Sequence, residues 1–273
     1  MPSIKENLRV WNSEYHWKDQ GEEWSQGVGA HNVGGSDLFW TSTLLPRINH
    51  FLPSKTILEI APGMGRWTKY LKQHCDRLII VDLSPKCIEA CRQRFSMDKH
   101  LSYYVNDGKS LDMIEDSSID FVFSFDSLVH ADLTTLGAYL NQLTVKLRAN
   151  GVGFIHHSNL NRYRIFNYLP RGILNGERLN RIISWRDPGV SAKLFEQLCI
   201  KAKLQCLSQE LVVWAAPGLF TDVLSIFRKG SCETKSGNEV CKNRNFMKQC
   251  DLMSRLASAA KLGVTFDSTT FQP

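Results

Sequence analysis

The 273-residue chain lacks several features that would settle its class at once. It has no uninterrupted apolar run of about 18 residues, which argues against a membrane-spanning helix. Its first 18 residues carry charges throughout and no apolar core, so they do not read as a secretory leader, and the expected compartment is the cytoplasm. None of its eight cysteines forms a C-x-x-C pair, and no histidine or further cysteine stands near Cys87 and Cys91 at ligand spacing. The cysteines therefore read as reduced thiols serving as small hydrophobes. Internal repeats and low-complexity tracts are also missing, which argues against solenoid or fibrous architectures. Charge of one sign is scarce too. The net charge is only +6, too little by itself to mark a nucleic-acid binder.

What is present is a change of pattern along the chain. Residues 1–54 are rich in aromatics, among them Trp11, Trp17, Trp24 and Trp40, and are broken by glycines. They read as helical turns plus a loop that either packs on the core or closes over a ligand as a lid. From 55 to about 160, short apolar runs alternate with amphipathic stretches. Strands are expected at 56–61, 77–83, 103–106, 119–125 and 151–157, with helices at 66–74, 85–96 and 132–148 between them. This alternation predicts parallel strands joined by helical crossovers. After a helix at 189–204, two apolar runs at 205–216 and 219–227 flank Pro217-Gly218, the signature of an antiparallel hairpin. Residues 230–245 are polar and read as a linker, with a terminal helix at 246–262.

The stretch from Glu59 through Ala61, Pro62, Gly63 and Gly65 to Arg66 carries the chemistry. A buried strand runs into a glycine turn and then a helix. There the backbone can approach a ligand closely, and free N–H groups face it. Asp82 ends the second strand, where an acid can accept hydrogen bonds from both hydroxyls of a ribose. Asp107 follows the third strand, within reach of an adenine amino group. A nicotinamide dinucleotide fits less well. The third glycine of its G-x-G-x-x-G fingerprint is Thr68 here, and Glu59 would repel a pyrophosphate. A ligand with a positive centre is favoured instead.

Over residues 55–229 the chain resembles the class I S-adenosylmethionine-dependent methyltransferases of small-molecule type. Glu59, Gly63 and Gly65 match the family's first motif, with Ala61 where a glycine is usual, and Asp82 and Asp107 match its ribose and adenine acids. The resemblance implies an α/β fold: a Rossmann-like, doubly wound seven-stranded sheet with a terminal antiparallel hairpin. To this the sequence adds the N-terminal helical and aromatic lid (1–54), a cap insert after the fifth strand (161–188), and a polar linker and tail (230–273). It implies S-adenosyl-L-methionine as cofactor, with Gly63, Gly65 and Arg66 around its methionine part and Leu83 and Gly108 beside its adenosine. Phe125, Asp126 and Ser127 would lie near the sulfonium. No Asn-Pro-Pro-Tyr follows the fourth strand, which lowers amino-methylation of bases or glutamine. No Asp/Asn cluster resembles the magnesium site of catechol-type enzymes, so no metal is assigned.

Methyl transfer needs alignment and exclusion of water more than it needs catalytic groups. A hydroxyl acceptor gains from a base, and His157, at the tip of the fifth strand, and His130, after the fourth, are the candidates. His156 is expected to pack under a helix. Between 161 and 186 stand six arginines, no lysine and one acid, Glu177. With the aromatics among them, these could grip an acceptor that is anionic or carries a ring. The expected acceptor is a small molecule, at a hydroxyl of a sugar or specialised metabolite. Three alternatives remain: an N-methyltransferase of an indole, amine or peptide product, a cofactor-binding protein without turnover, and an RNA methyltransferase, the last disfavoured. Oligomeric state stays open.

Overall fold

A computed structural model describes residues 3–25, 35–163, 185–214, 218–230 and 237–261. The apolar runs form the strands β1 (Ser54–Ile60), β2 (Cys75–Asp82), β3 (Leu101–Val105), β4 (Ile119–Ser124) and β5 (Leu147–Ser158). These five pair in parallel in the order β3-β2-β1-β4-β5. β6 (Leu204–Val212) and β7 (Asp222–Lys229) form the expected antiparallel hairpin, with β7 docked antiparallel on β5. Among the described residues the sheet has eight strands rather than seven. Glu239–Asn243, inside the stretch read as a linker, forms β8 and pairs in parallel with β6 at the sheet edge. Because β6 and β8 run the same way as β5, their C-terminal ends open on the same edge of the sheet as the glycine turn.

Helices cover both faces. α1 (Ile4–Arg9) lies at the N-terminus, α2 (Thr68–Leu71) is a single turn after β1, and α3 (Pro85–Arg94) starts on a proline with Ser84 accepting the Cys87 N–H as its cap. α4 (Leu133–Lys146) is capped by Asp132 and α5 (Ala192–Lys201) by Ser191, as their Asp and Ser N-cap chemistry predicts. α6 (Phe246–Lys261) closes the described chain. A continuous helical segment over 36–51, α3 and the start of α6 cover the face that carries Phe121, Phe123 and Phe154. α4 and α5 cover the other, built on Leu58, Val122 and Ile155. Strands buried on both faces read as continuous apolar runs, and these do.

β8 is held by side chains as well as by its ladder. Glu210 of β6 accepts two bonds from the Arg47 guanidinium, at 2.6 and 2.7 Å, and one from Asn243 Nδ2 at 2.8 Å. Just beyond, Phe246 is buried against Trp214, ring centroids 5.5 Å apart, under the Arg47 guanidinium. Phe246→Ala should therefore cost about 3–5 kcal/mol in urea unfolding, the usual loss for emptying a buried aromatic site. A change within about 0.5 kcal/mol, the surface norm, would mean this segment hangs free of the core.

Candidate functional site

A cavity of about 940 Å³ opens along the carboxyl edge of the sheet. One end is built by the turn after β1. Ala61, Gly63 and Gly65 all have positive φ there, at 58°, 59° and 84°. The left-handed backbone turns the chain sharply and aims the Gly63 N–H at Asp82 Oδ2, 3.1 Å away. Asp82 Oδ1 takes the Ser84 N–H at 2.7 Å. Burial pushes the Asp82 carboxyl up to about 6, against the pull of these N–H donors. Ala61, Gly63, Asp82, Leu83 and Gly108 all line the cavity. A Cβ on Gly63 would stand 3.0 Å from the Trp17 ring, and one on Gly108 would stand 2.9 Å from Ile4, so the N-terminal segment closes directly on this end.

The middle is set by the tip of β4. Phe125, Asp126 and Ser127 line the cavity, and Ser127 Oγ donates to the Ala61 carbonyl at 2.6 Å. Arg66, 8% exposed, lies over the Trp67 ring and donates to Asp126 Oδ2 at 2.8 Å. Asp126 is itself left-handed, φ 62°, and its N–H donates to His156 Nδ1 at 3.1 Å. The other ring nitrogen of His156, Nε2, lies 3.4 Å from Asp222 Oδ1. Asp222 Oδ1 also accepts from Arg186 Nε at 2.6 Å. Burial alone would raise the Asp222 carboxyl, but Arg186 and His156 pull it down to about 2.

His130 stands on the cavity wall between Trp11 and Trp185, its ring centroid 5.2 and 6.3 Å from theirs. Burial pushes it down to about 4, so it is neutral near pH 7 and a weaker base than a free imidazole.

Not every expected site residue reaches the cavity. His157 is a correction: it points to the opposite face, stacks on Phe195 of α5 at 4.2 Å, and its Nε2 and Nδ1 are engaged by Ser225 Oγ and the Ser158 carbonyl. It is His156, expected beneath a helix, that reaches the β4 tip, and His157 that lies under one. Glu59 is buried just behind the turn, where Oε2 accepts from Thr68 Oγ1 at 2.6 Å and Oε1 has no partner among the described residues. Gly65 faces α3, and a Cβ there would meet the Phe95 ring at 2.6 Å, so it permits close packing rather than lining the cavity. Asp107 is exposed beside a separate shallow groove and closes its own turn through the Lys109 and Ser110 N–H groups. Of the arginine-rich stretch, Arg164, Arg171, Arg178 and Arg181 lie outside the described residues.

Sequence reasoning missed Asp222 and Trp214, and gave Arg186 no role of its own. It also missed Arg244 and Lys248, which line the cavity from the stretch read as a linker and tail. The parity of β5 was the available signal. His156 shares a face with Phe154, and Phe154 packs on the Phe125 that was already assigned to the site.

A family model described as a methyltransferase domain matches residues 57–151. Over 55 residues the chain is 34% identical to nodulation protein S of Rhizobium tropici, which is 20% of this chain and 23% of that protein. Over 63 residues it is 30% identical to ribosomal RNA small subunit methyltransferase A of Coxiella burnetii, 23% of this chain and 24% of that one. The matched part thus spans about a quarter of these relatives. Among solved structures, a geranyl diphosphate methyltransferase in complex with GPP and sinefungin superposes with a TM-score of 0.58 at 14% identity, over 84% of this chain and 100% of that one. An S-adenosylmethionine-dependent methyltransferase from Clostridium acetobutylicum superposes with a TM-score of 0.52 at 13% identity, over 70% and 91%. At such identities these two establish the shared fold. Residues 57–151 thus carry the match to a methyltransferase-domain family, within a fold shared with these two solved structures.

Proposed function

We propose that the chain transfers a methyl group from S-adenosylmethionine to a small-molecule acceptor, at a hydroxyl of a sugar or of another ring-bearing metabolite. The observation that carries this reading is the joint lining of one cavity: the left-handed turn and Asp82 at one end, His130 and a set of tryptophans beyond it. The site fits the cofactor. Gly63, where a Cβ would press on the Trp17 ring at 3.0 Å, lets the turn be approached closely, and each Asp82 oxygen, accepting one backbone N–H, keeps a second lone pair for a ribose hydroxyl. The bound cofactor supplies an activated methyl on a sulfonium.

The chain's own residues then have few tasks. Leu83 and Gly108 border the adenosine, and Arg66, held by Asp126, borders the methionine part. Trp11, Trp17 and Trp24 exclude water and offer ring faces to an acceptor. His130, neutral and on the wall, takes the hydroxyl proton as the acceptor attacks.

Three outcomes test this. In calorimetry S-adenosylhomocysteine should bind and a nicotinamide dinucleotide should not. Asp82→Ala should weaken the former at least about tenfold, since hydrogen bonds to a charged group contribute about 1.5–3 kcal/mol each. Binding of both ligands, or of neither, would remove the cofactor assignment. With a hydroxyl acceptor, His130→Ala should lower kcat by about 10²–10⁴-fold with little change in S-adenosylhomocysteine affinity. An unchanged kcat would instead favour an acceptor amine that binds neutral.

The third outcome concerns Glu59, whose carboxyl burial pushes up to about 8 against the Thr68 hydroxyl. Its contribution to stability is full below the unfolded value of 4.5 and is lost as pH rises through about 8. Relative to Glu59→Gln, the cofactor-free wild type should lose up to ~1.4 kcal/mol per pH unit across that window. A pH-independent difference between the two proteins would mean that Glu59 ionises normally.

A further inference from the structure

The cavity runs well past the half that suits a cofactor. The glycine turn and Asp82 sit at the tips of β1 and β2, but the lining continues across the sheet order to Trp214, after β6, and to Arg244 and Lys248, after β8. Four cations line the cavity, and two are already neutralised by carboxylates. Arg66 is paired with Asp126 at 2.8 Å and Arg186 with Asp222 at 2.6 Å. The acids of the lining are occupied as well: Asp82 by backbone N–H groups, Asp126 by Arg66, and Asp132 as the cap of α4. That leaves Arg244 and Lys248 at the mouth, with no carboxylate within ion-pairing distance among the described residues. Arg244 is oriented over the Phe220 ring, its Cζ 6.0 Å from the centroid. Between these cations and the glycine turn the wall is aromatic and apolar, with Phe39, Phe125 and Trp214 in mutual contact.

We infer that Arg244 and Lys248 form the head-group subsite of the acceptor. The acceptor class is then an amphipathic anion: a ring-bearing or apolar body that lies in the aromatic part of the cavity, with a carboxylate or phosphate held at the mouth. This deepens the proposed function, since it rests on reading the far half of the cavity as the acceptor's. A guanidinium and an ammonium lining the same cavity suit either anion, the fork giving paired hydrogen bonds and the lysine a point charge. The arginine-rich stretch, where the sequence alone suggested anion recognition, lies mostly outside the described residues.

The test uses the full chain and three matched probes: 2-naphthoxyacetate, 2-naphthyl phosphate and the neutral 2-naphthoxyacetamide. Each is titrated calorimetrically with and without saturating S-adenosylhomocysteine. The two anions should bind at least about tenfold more tightly than the amide, with a preference that shrinks as salt rises. In Arg244→Gln/Lys248→Gln the preference should fall to within about twofold, while amide affinity stays close to that of the wild type. Which anion binds better distinguishes a carboxylate from a phosphate acceptor. Equal binding of acid and amide by the wild type, failure of all three probes to bind, or a preference that survives in the double variant would each overturn the subsite. So would tight, salt-dependent binding of a short RNA lost in the same variant without discrimination among the probes. Failure of S-adenosylhomocysteine to bind would count against the cofactor reading instead, because the probe preference is also read without it.

Discussion

The buried carboxylate of Asp222 is the point on which the site depends. It begins β7, is fully enclosed, and lies within 3.4 Å of both Arg186 and His156. Through Arg186 it fixes the chain where it returns from the insert after β5. Through His156 it fixes the acceptor nitrogen that receives the Asp126 N–H, and so the left-handed tip of β4. Arg66 closes the series by pairing with Asp126. Removing one member of a buried ion pair strands the other charge and costs about 3–5 kcal/mol, so Arg186 and Asp222 depend on each other. The tips of β4, β5 and β7 are thereby held in one geometry by electrostatics, where strand pairing alone would leave loop ends.

The two halves of the cavity have different origins. The half that suits the cofactor comes from β1, β2 and β4, which lie within the matched residues 57–151. The rest of the wall comes from both ends of the described chain, the N-terminal segment with Trp17 closing on the glycine-turn end and Arg244 and Lys248 lining it from beyond β8. The fold supplies a fixed edge, and the segments that close it decide what enters.

The central sheet was legible because strands covered on both faces are apolar in their cores, as the runs at 78–81 and 121–123 are throughout and 57–60 is apart from Glu59. β8 was not, for the converse reason. Glu239, Val240, Cys241 and Lys242 are all exposed on an edge strand, where polar residues are the norm, and its pairing rests on partners some 30 positions away, such as Glu210. The exchange of His156 for His157 has a similar cause. Alternation showed that one of them must face the site. Which one depends on which face α5 covers, and that is a tertiary fact. Asp107 was placed correctly at the tip of β3 but turns back on its own loop, because the nearby Lys109 and Ser110 N–H groups satisfy it locally.

The walls of the cavity have an optical consequence. Six of the seven tryptophans line it, and the seventh, Trp40, is buried in the core against Tyr70 at 5.0 Å with nearly parallel rings. Almost all of the protein's indole emission therefore originates at the surface a ligand would touch, over one shielded and nearly constant background. A ligand in the cavity would thus be reported by the intrinsic fluorescence, with no label attached.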